Sequence, residues 1–171
     1  MSKQKLMGAN LESWIGLLAS NDGMIRQRAR KSLVALGKPA VSPLVQSLRN
    51  SKLDQVRWEA AKALGEICDA GSIITLVTAL EDGNHDVAWV AANALRKLKK
   101  TAWLPVLRAL LKRGTDSVLL RQGAHHVFRN QKEKGFNDLL AGLMKALKPS
   151  AAPEAASVVA YEMLGRLEMN S

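Results

Sequence analysis

The stretch Asp54-Gln55-Val56-Arg57-Trp58-Glu59-Ala60-Ala61-Lys62-Ala63-Leu64-Gly65 decides the fold, because it returns. After 31 residues the chain reads Val87-Ala88-Trp89-Val90-Ala91-Ala92-Asn93-Ala94-Leu95-Arg96. The same phase opens at Ile25-Arg26-Gln27-Arg28-Ala29-Arg30-Lys31-Ser32-Leu33 and again at Leu120-Arg121-Gln122-Gly123-Ala124-His125-His126-Val127-Phe128. A weaker copy runs from Ala156 to Gly165. In-phase recurrence at this period marks a stack of identical supersecondary units.

A second pattern alternates with the first. Leu44-Val45 with Leu48, Leu76-Val77 with Leu80, Val106-Leu107 with Leu110, and Leu139-Leu140 with Leu143 share one spacing, and Trp14-Ile15 with Leu18 opens the series. Apolar residues at i, i+1 and i+4 line one helical face. Asp22, Asp54, Asp86 and Asp116 stand just before each motif helix, where a carboxylate accepts backbone N–H groups and suits the positive helix start. Pro43 and Pro105 read as first-turn residues of the alternate helices. The expectation is a single all-α domain over residues 1–171, an α-solenoid of about five stacked helix-turn-helix repeats. Their approximate spans are 10–36, 39–68, 70–98, 100–130 and 134–168. Alanines let neighbouring helices approach, leucines fill the space between them, and one pair alone cannot bury its own face.

Composition agrees. Leu and Ala fill about 50 of the 171 positions and aromatics only 4%, which favours helices over a β-sandwich or barrel. One cysteine, Cys68, excludes an internal disulfide and a multi-Cys zinc site, and reads as a small buried hydrophobe. No apolar run reaches the ~18 residues of a membrane span. The apolar patch Trp14 to Ala19 is short and follows Glu12, unlike a signal peptide. The protein is therefore expected to be soluble, cytoplasmic and free of membrane. The 25 basic and 15 acidic side chains give a net charge of +10, which suits an acidic partner or a polyanion.

The segment from Asp54 to Gly65 resembles the HEAT-repeat family, in particular the short bacterial HEAT-like repeats also found in phycobilin lyase subunits. Its motif Asp-x-Val-Arg-x-x-Ala-Ala-x-Ala-Leu-Gly recurs in phase over about residues 10 to 168. The resemblance implies that the motif helix lines a concave face. It also implies that the arginine after the valine packs near the inter-helix turn, the role of Arg26, Arg57 and Arg121. Ala88 and Ser157 depart from it. Most members of the family are binding scaffolds; a minority are bilin lyase subunits or DNA glycosylases.

With Val56, Ala60, Ala63 and Leu64 turned inward, Trp58, Glu59, Lys62 and Glu66 face the groove. The same phase presents Gln27, Arg28 and Lys31, then Trp89, Val90, Asn93 and Lys97, then Gln122, His126 and Asn130. Trp58 and Trp89 occupy one repeat position, either as inter-repeat packing or as anchors that a partner covers. Arg28, Lys31, Lys62, Lys97 and His126 would orient an acidic segment, with Asn93 beside them. Trp14 and Trp103 belong to the alternate helices and read as core. The apolar start, Trp14, Ile15, Leu17 and Leu18, is either a cap or a self-association face.

Chemistry is sparsely marked. His125 and His126 are adjacent on a helix and point about 100° apart, so they cannot chelate one metal. No paired carboxylates and no glycine-rich phosphate loop are present. No catalytic residue, metal or cofactor is assigned. The expected function is a non-enzymatic protein-interaction scaffold that takes an acidic or mixed partner segment in a basic, Trp-containing groove. Nucleic-acid binding is the first alternative, since cations interleaved with tryptophans suit single-stranded bases. A lyase-type chaperone or enzyme subunit is the second.

Overall fold

The computed structural model describes residues 3–169, with side chains from residue 10 onward. Among the described residues there are ten α-helices and no strand. They come in pairs: α1 (Lys3–Leu17) with α2 (Gly23–Leu36), and α3 (Lys38–Asn50) with α4 (Asp54–Ile67). The third pair is α5 (Ile73–Thr78), extended by 3-10 turns at Ala70–Ser72 and Ala79–Glu81, with α6 (His85–Leu98). Then follow α7 (Lys100–Arg113) with α8 (Val118–Phe128), and α9 (Asn137–Ala146) with α10 (Ala155–Met169).

Two rows result. The motif helices α2, α4, α6 and α8 pack one on the next, and α1, α3, α5 and α7 form the outer row. The repeat leucines Leu44, Leu48, Leu76, Leu80, Leu107 and Leu110 are buried between the rows, as are Leu33, Leu64, Leu95 and Leu120 of the motif row. Trp103 is 1% exposed and packs on Phe128 and Phe136, each ring centroid 5.9 Å away. At the start of the stack Leu18 is fully buried and Trp14 and Ile15 pack half-buried against the core, so most of that apolar patch is a cap; only Leu17 of the four is exposed.

Small residues set the helix spacing. A Cβ built on Gly65 of α4 would lie 2.7 Å from Ala94 Cβ and 3.0 Å from Ala94 Cα of α6. The two helices therefore touch backbone to backbone, and glycine is required there by contact rather than by conformation.

The helix starts differ in detail from the sequence reading. Asp22 does cap α2, accepting from Met24 N at 2.7 Å. Asn84 caps α6 and Ser117 caps α8, in place of Asp86 and Asp116. Asp54 is the first residue of α4 and makes no cap bond; it binds Arg57 and the Asn84 amide instead. Pro43 and Pro105 lie in the second turn of their helices, which begin earlier than the prolines suggested. Cys68 is exposed, not buried: it ends α4 in the left-handed region at φ 55, which swings it off the packed face.

The last pair breaks the pattern. By phase α10 is a fifth motif helix, and it does bury the expected stripe Ala156, Ala160, Met163 and Leu164. Yet α10 packs chiefly on α7 and α9 rather than on α8. Ser157 Oγ donates to the Leu110 carbonyl at 3.3 Å, and Arg108 of α7 reaches Glu168 at 3.8 Å. Residues 147–154, which include Pro149 and Pro153, carry the chain across to the outer row. The fifth repeat thus closes the stack with its motif helix, α10, set against the outer row.

The Gly65 contact generates a signed prediction. Gly65→Ala gains helix propensity but collides with the backbone of α6, and should lose about 1–3 kcal/mol of stability in urea unfolding. Gly165→Ala meets nothing within 4 Å and should gain up to about 1 kcal/mol.

Candidate functional site

The open side of the motif row carries two clefts, divided by Trp89. The first, about 400 Å³, runs between α4 and α6 and is lined by Trp58, Lys62, Glu66, Asp86, Trp89, Asn93 and Lys97 among others. One repeat spacing on successive parallel helices brings Trp58, Lys62, Trp89, Asn93 and Lys97 together, as the sequence phase predicts. Arg28 and Lys31 are exposed on α2, in the neighbouring repeat.

The two tryptophans differ. Trp58 is half-buried, with Lys62 Nζ 4.4 Å from its ring centroid and the Arg30 guanidinium at 5.9 Å. Trp89 is 49% exposed and lies against His126, with ring centroids 3.8 Å apart and planes tilted by 39°. The two do not stack on each other as a pair; each is held by a cation or an imidazole from its surroundings.

His126 is a correction to the sequence reading, which placed it among the groove cations. It is 5% exposed, and its Nε2 is 2.9 Å from Asn93 Oδ1, so Asn93 accepts from the imidazole. Asn93 Nδ2 donates in turn to the Trp89 carbonyl at 3.2 Å. Burial, and then the charges of Arg96, Arg129 and His125, pull His126 down from its ordinary 6.5 to about 4. It stays neutral at pH 7 and serves as a wedge behind Trp89, not as an orienting charge.

Glu59 is a second correction. It sits on the face expected to point outward, yet it is 4% exposed. Arg30 explains the burial: its Nη1 donates to Glu59 Oε2 at 2.6 Å, and Arg26 and Glu66 complete the cluster at 3.6 and 3.5 Å. Arg30 is itself buried. The apparently acid-free run of basic residues in the second helix is therefore partly neutralised from α4. Within the α4–α6 cleft, Lys62 and Lys97 face Glu66 and Asp86, so the groove is of mixed charge rather than uniformly basic.

The turns are tied along the stack. Arg57 grips Asp82 of the next repeat with Nε at 2.7 Å and Nη2 at 2.8 Å, while Arg113 reaches back to Glu81 at 2.6 Å. Burial alone would raise Asp82, but the Arg57 hydrogen bonds and the Asn84 N–H outweigh it and hold the carboxyl below its usual range.

The second cleft, about 250 Å³, lies between α6 and α8, with Leu80, Ala88, Trp89, Leu119, Gln122 and Gly123 among its walls. Sequence reasoning assigned no site there. The one signal was Ala88, where the first, second and fourth repeats have arginine.

Paired helices stacked in two rows define an α-solenoid. A family model for HEAT repeats matches residues 41–126, half of the chain. The chain belongs to the HEAT-repeat family, whose repeats generally scaffold protein interactions. The match is to HEAT repeats at large and does not single out the lyase-type subclass. A comparison with curated proteins returns no match. No helix among the described residues is long and apolar enough to cross a membrane.

Two predictions follow from the buried polar groups. Glu59→Ala leaves the Arg30 charge buried without its closest partner and should cost about 3–5 kcal/mol in chemical unfolding. His126 binds its proton less readily folded than unfolded, so the unfolded chain takes up the extra proton between pH 6.5 and 4. Stability should fall as pH is lowered through that window, and His125, also held down by burial, acts in the same direction. His126→Gln should flatten the slope of stability against pH; an unchanged slope would assign it elsewhere.

Proposed function

We propose that this protein is a non-enzymatic interaction scaffold that takes an extended partner segment along the α4–α6 groove. One observation carries the reading: Trp89, a large aromatic, is half exposed in a cleft while its back is fixed by His126 and Asn93. A rigid, exposed tryptophan is the residue type most enriched at binding hot spots. Trp58 supplies the second anchor. Lys62 and Lys97 would meet acidic residues of the partner, and Glu66 and Asp86 would reject a segment that is acidic throughout, so mixed charge fits the groove best.

Arg28 and Lys31 extend the cationic surface toward α2 and would steer association more than they hold the complex. The charge mixture also weighs against a nucleic-acid backbone, which needs an uninterrupted cationic track.

The test is capture by the wild-type chain set against Trp58→Ala/Trp89→Ala, with nuclease-treated extract. Partners retained after nuclease and lost from a variant that keeps its helical circular dichroism support the reading. Capture equal with both chains, or abolished by nuclease, overturns it.

A further inference from the structure

The motif arginine does the same thing in each repeat that has one. Arg26 Nη1 donates to the carbonyls of Ser20 and Asn21 at 2.7 and 3.1 Å. Arg57 Nη1 donates to Ser51 O at 3.0 Å. Arg121 Nη1 donates to the carbonyls of Gly114 and Thr115. The acceptors always lie five to seven residues upstream, in the turn that precedes the helix. The third repeat has Ala88 at this place. The carbonyls six and five residues upstream of it belong to Asp82 and Gly83, and no hydrogen bond reaches either among the described residues. Both residues line the α6–α8 cleft, together with Ala88 itself.

We propose that the α6–α8 cleft is a guanidinium site, which receives an arginine side chain of a partner segment where the repeat's own arginine is missing. The walls suit both ends of that side chain. Trp89, Leu119 and the Ala88 methyl offer apolar surface to the methylenes. The two free carbonyls and the Gln122 amide offer acceptors to a planar fork of N–H donors, a geometry that a lysine ammonium matches less well.

The start of α6 is electropositive and opposes a cation. Arg26, Arg57 and Arg121 accept the same penalty at their own helix starts, so carbonyl acceptance outweighs it in this fold. The Asp82 carboxylate, although bound by Arg57, keeps negative charge beside the cleft. The site does not rest on the α4–α6 groove, and its test needs no partner.

The test is an NMR titration of the wild-type chain with N-propylguanidinium, read at the assigned indole N–H of Trp89 and the amides of Gly83 and Gln122. N-propylurea, a neutral near-isostere, and n-butylammonium are the comparison ligands. The expected result is saturable shifts with a Kd on the order of 1 mM, and at least about fivefold tighter binding than either comparison ligand. Ala88→Arg should fill the cleft from within, raise Tm by a few degrees and abolish the shifts. Should A88R not fold, Leu119→Trp, which narrows the mouth, should abolish them instead. Equal binding of the urea makes the cleft a mere apolar gap and overturns the proposal. So does the absence of saturable shifts, or binding unaltered in a folded A88R or L119W.

Discussion

The close approach of α4 and α6 at Gly65 and Ala94 is the constraint on which the open face of the stack depends. Two helices that touch at the backbone have little freedom in their separation or rotation. Trp58 and Trp89, one repeat apart, are thereby fixed on the same side of one groove. A larger residue at either contact position would move both tryptophans and both flanking lysines together. The interior of the stack and its open face are in this sense one design. The small residues that allow dense packing also determine where the large ones can stand.

Charge is arranged with similar economy. Several arginines that look like surface residues in a chain of net charge +10 are structural. Arg30 is buried against Glu59, while Arg57 and Arg113 bind acids of adjacent turns, and Arg26 and Arg121 hold turn carbonyls. The cations left outside these structural pairs are a smaller set, with Arg28 and Lys31 exposed on α2 and Lys62 and Lys97 in the α4–α6 cleft. Net charge alone would have overstated the basic character of the groove. The departures from repeat regularity matter as much as the repeat. Ala88 leaves two carbonyls free, and the crossing of residues 147–154 ends the motif row at α8.

The helices, their order and their buried stripes were legible because periodicity reports burial directly. The phase that placed Val56, Ala60 and Leu64 inside holds in α4, α6, α8 and α10, whereas in α2 it holds for Ala29 and Leu33 but leaves Ile25, the counterpart of Val56, exposed. Phase says which face is buried and nothing about what covers it, so the seat of α10 on α7 was not legible. The same limit explains Glu59 and His126. Each sits at a nominally outward position, and each was turned inward by a residue about 30 positions away, Arg30 for one and Asn93 for the other. A cross-repeat contact of this kind leaves no trace in local spacing. Cys68 was misread because a left-handed helix end redirects a side chain that helical phase would bury.

The account stands on the α4–α6 contact, and nuclear Overhauser spectroscopy measures it most directly. A strong cross-peak between the Gly65 α-protons and the Ala94 methyl, together with contacts between the Trp89 indole and the His126 ring, is the predicted result. No cross-peak between Gly65 and Ala94 in the folded protein would mean that the two helices stand apart, and the groove described here would not exist.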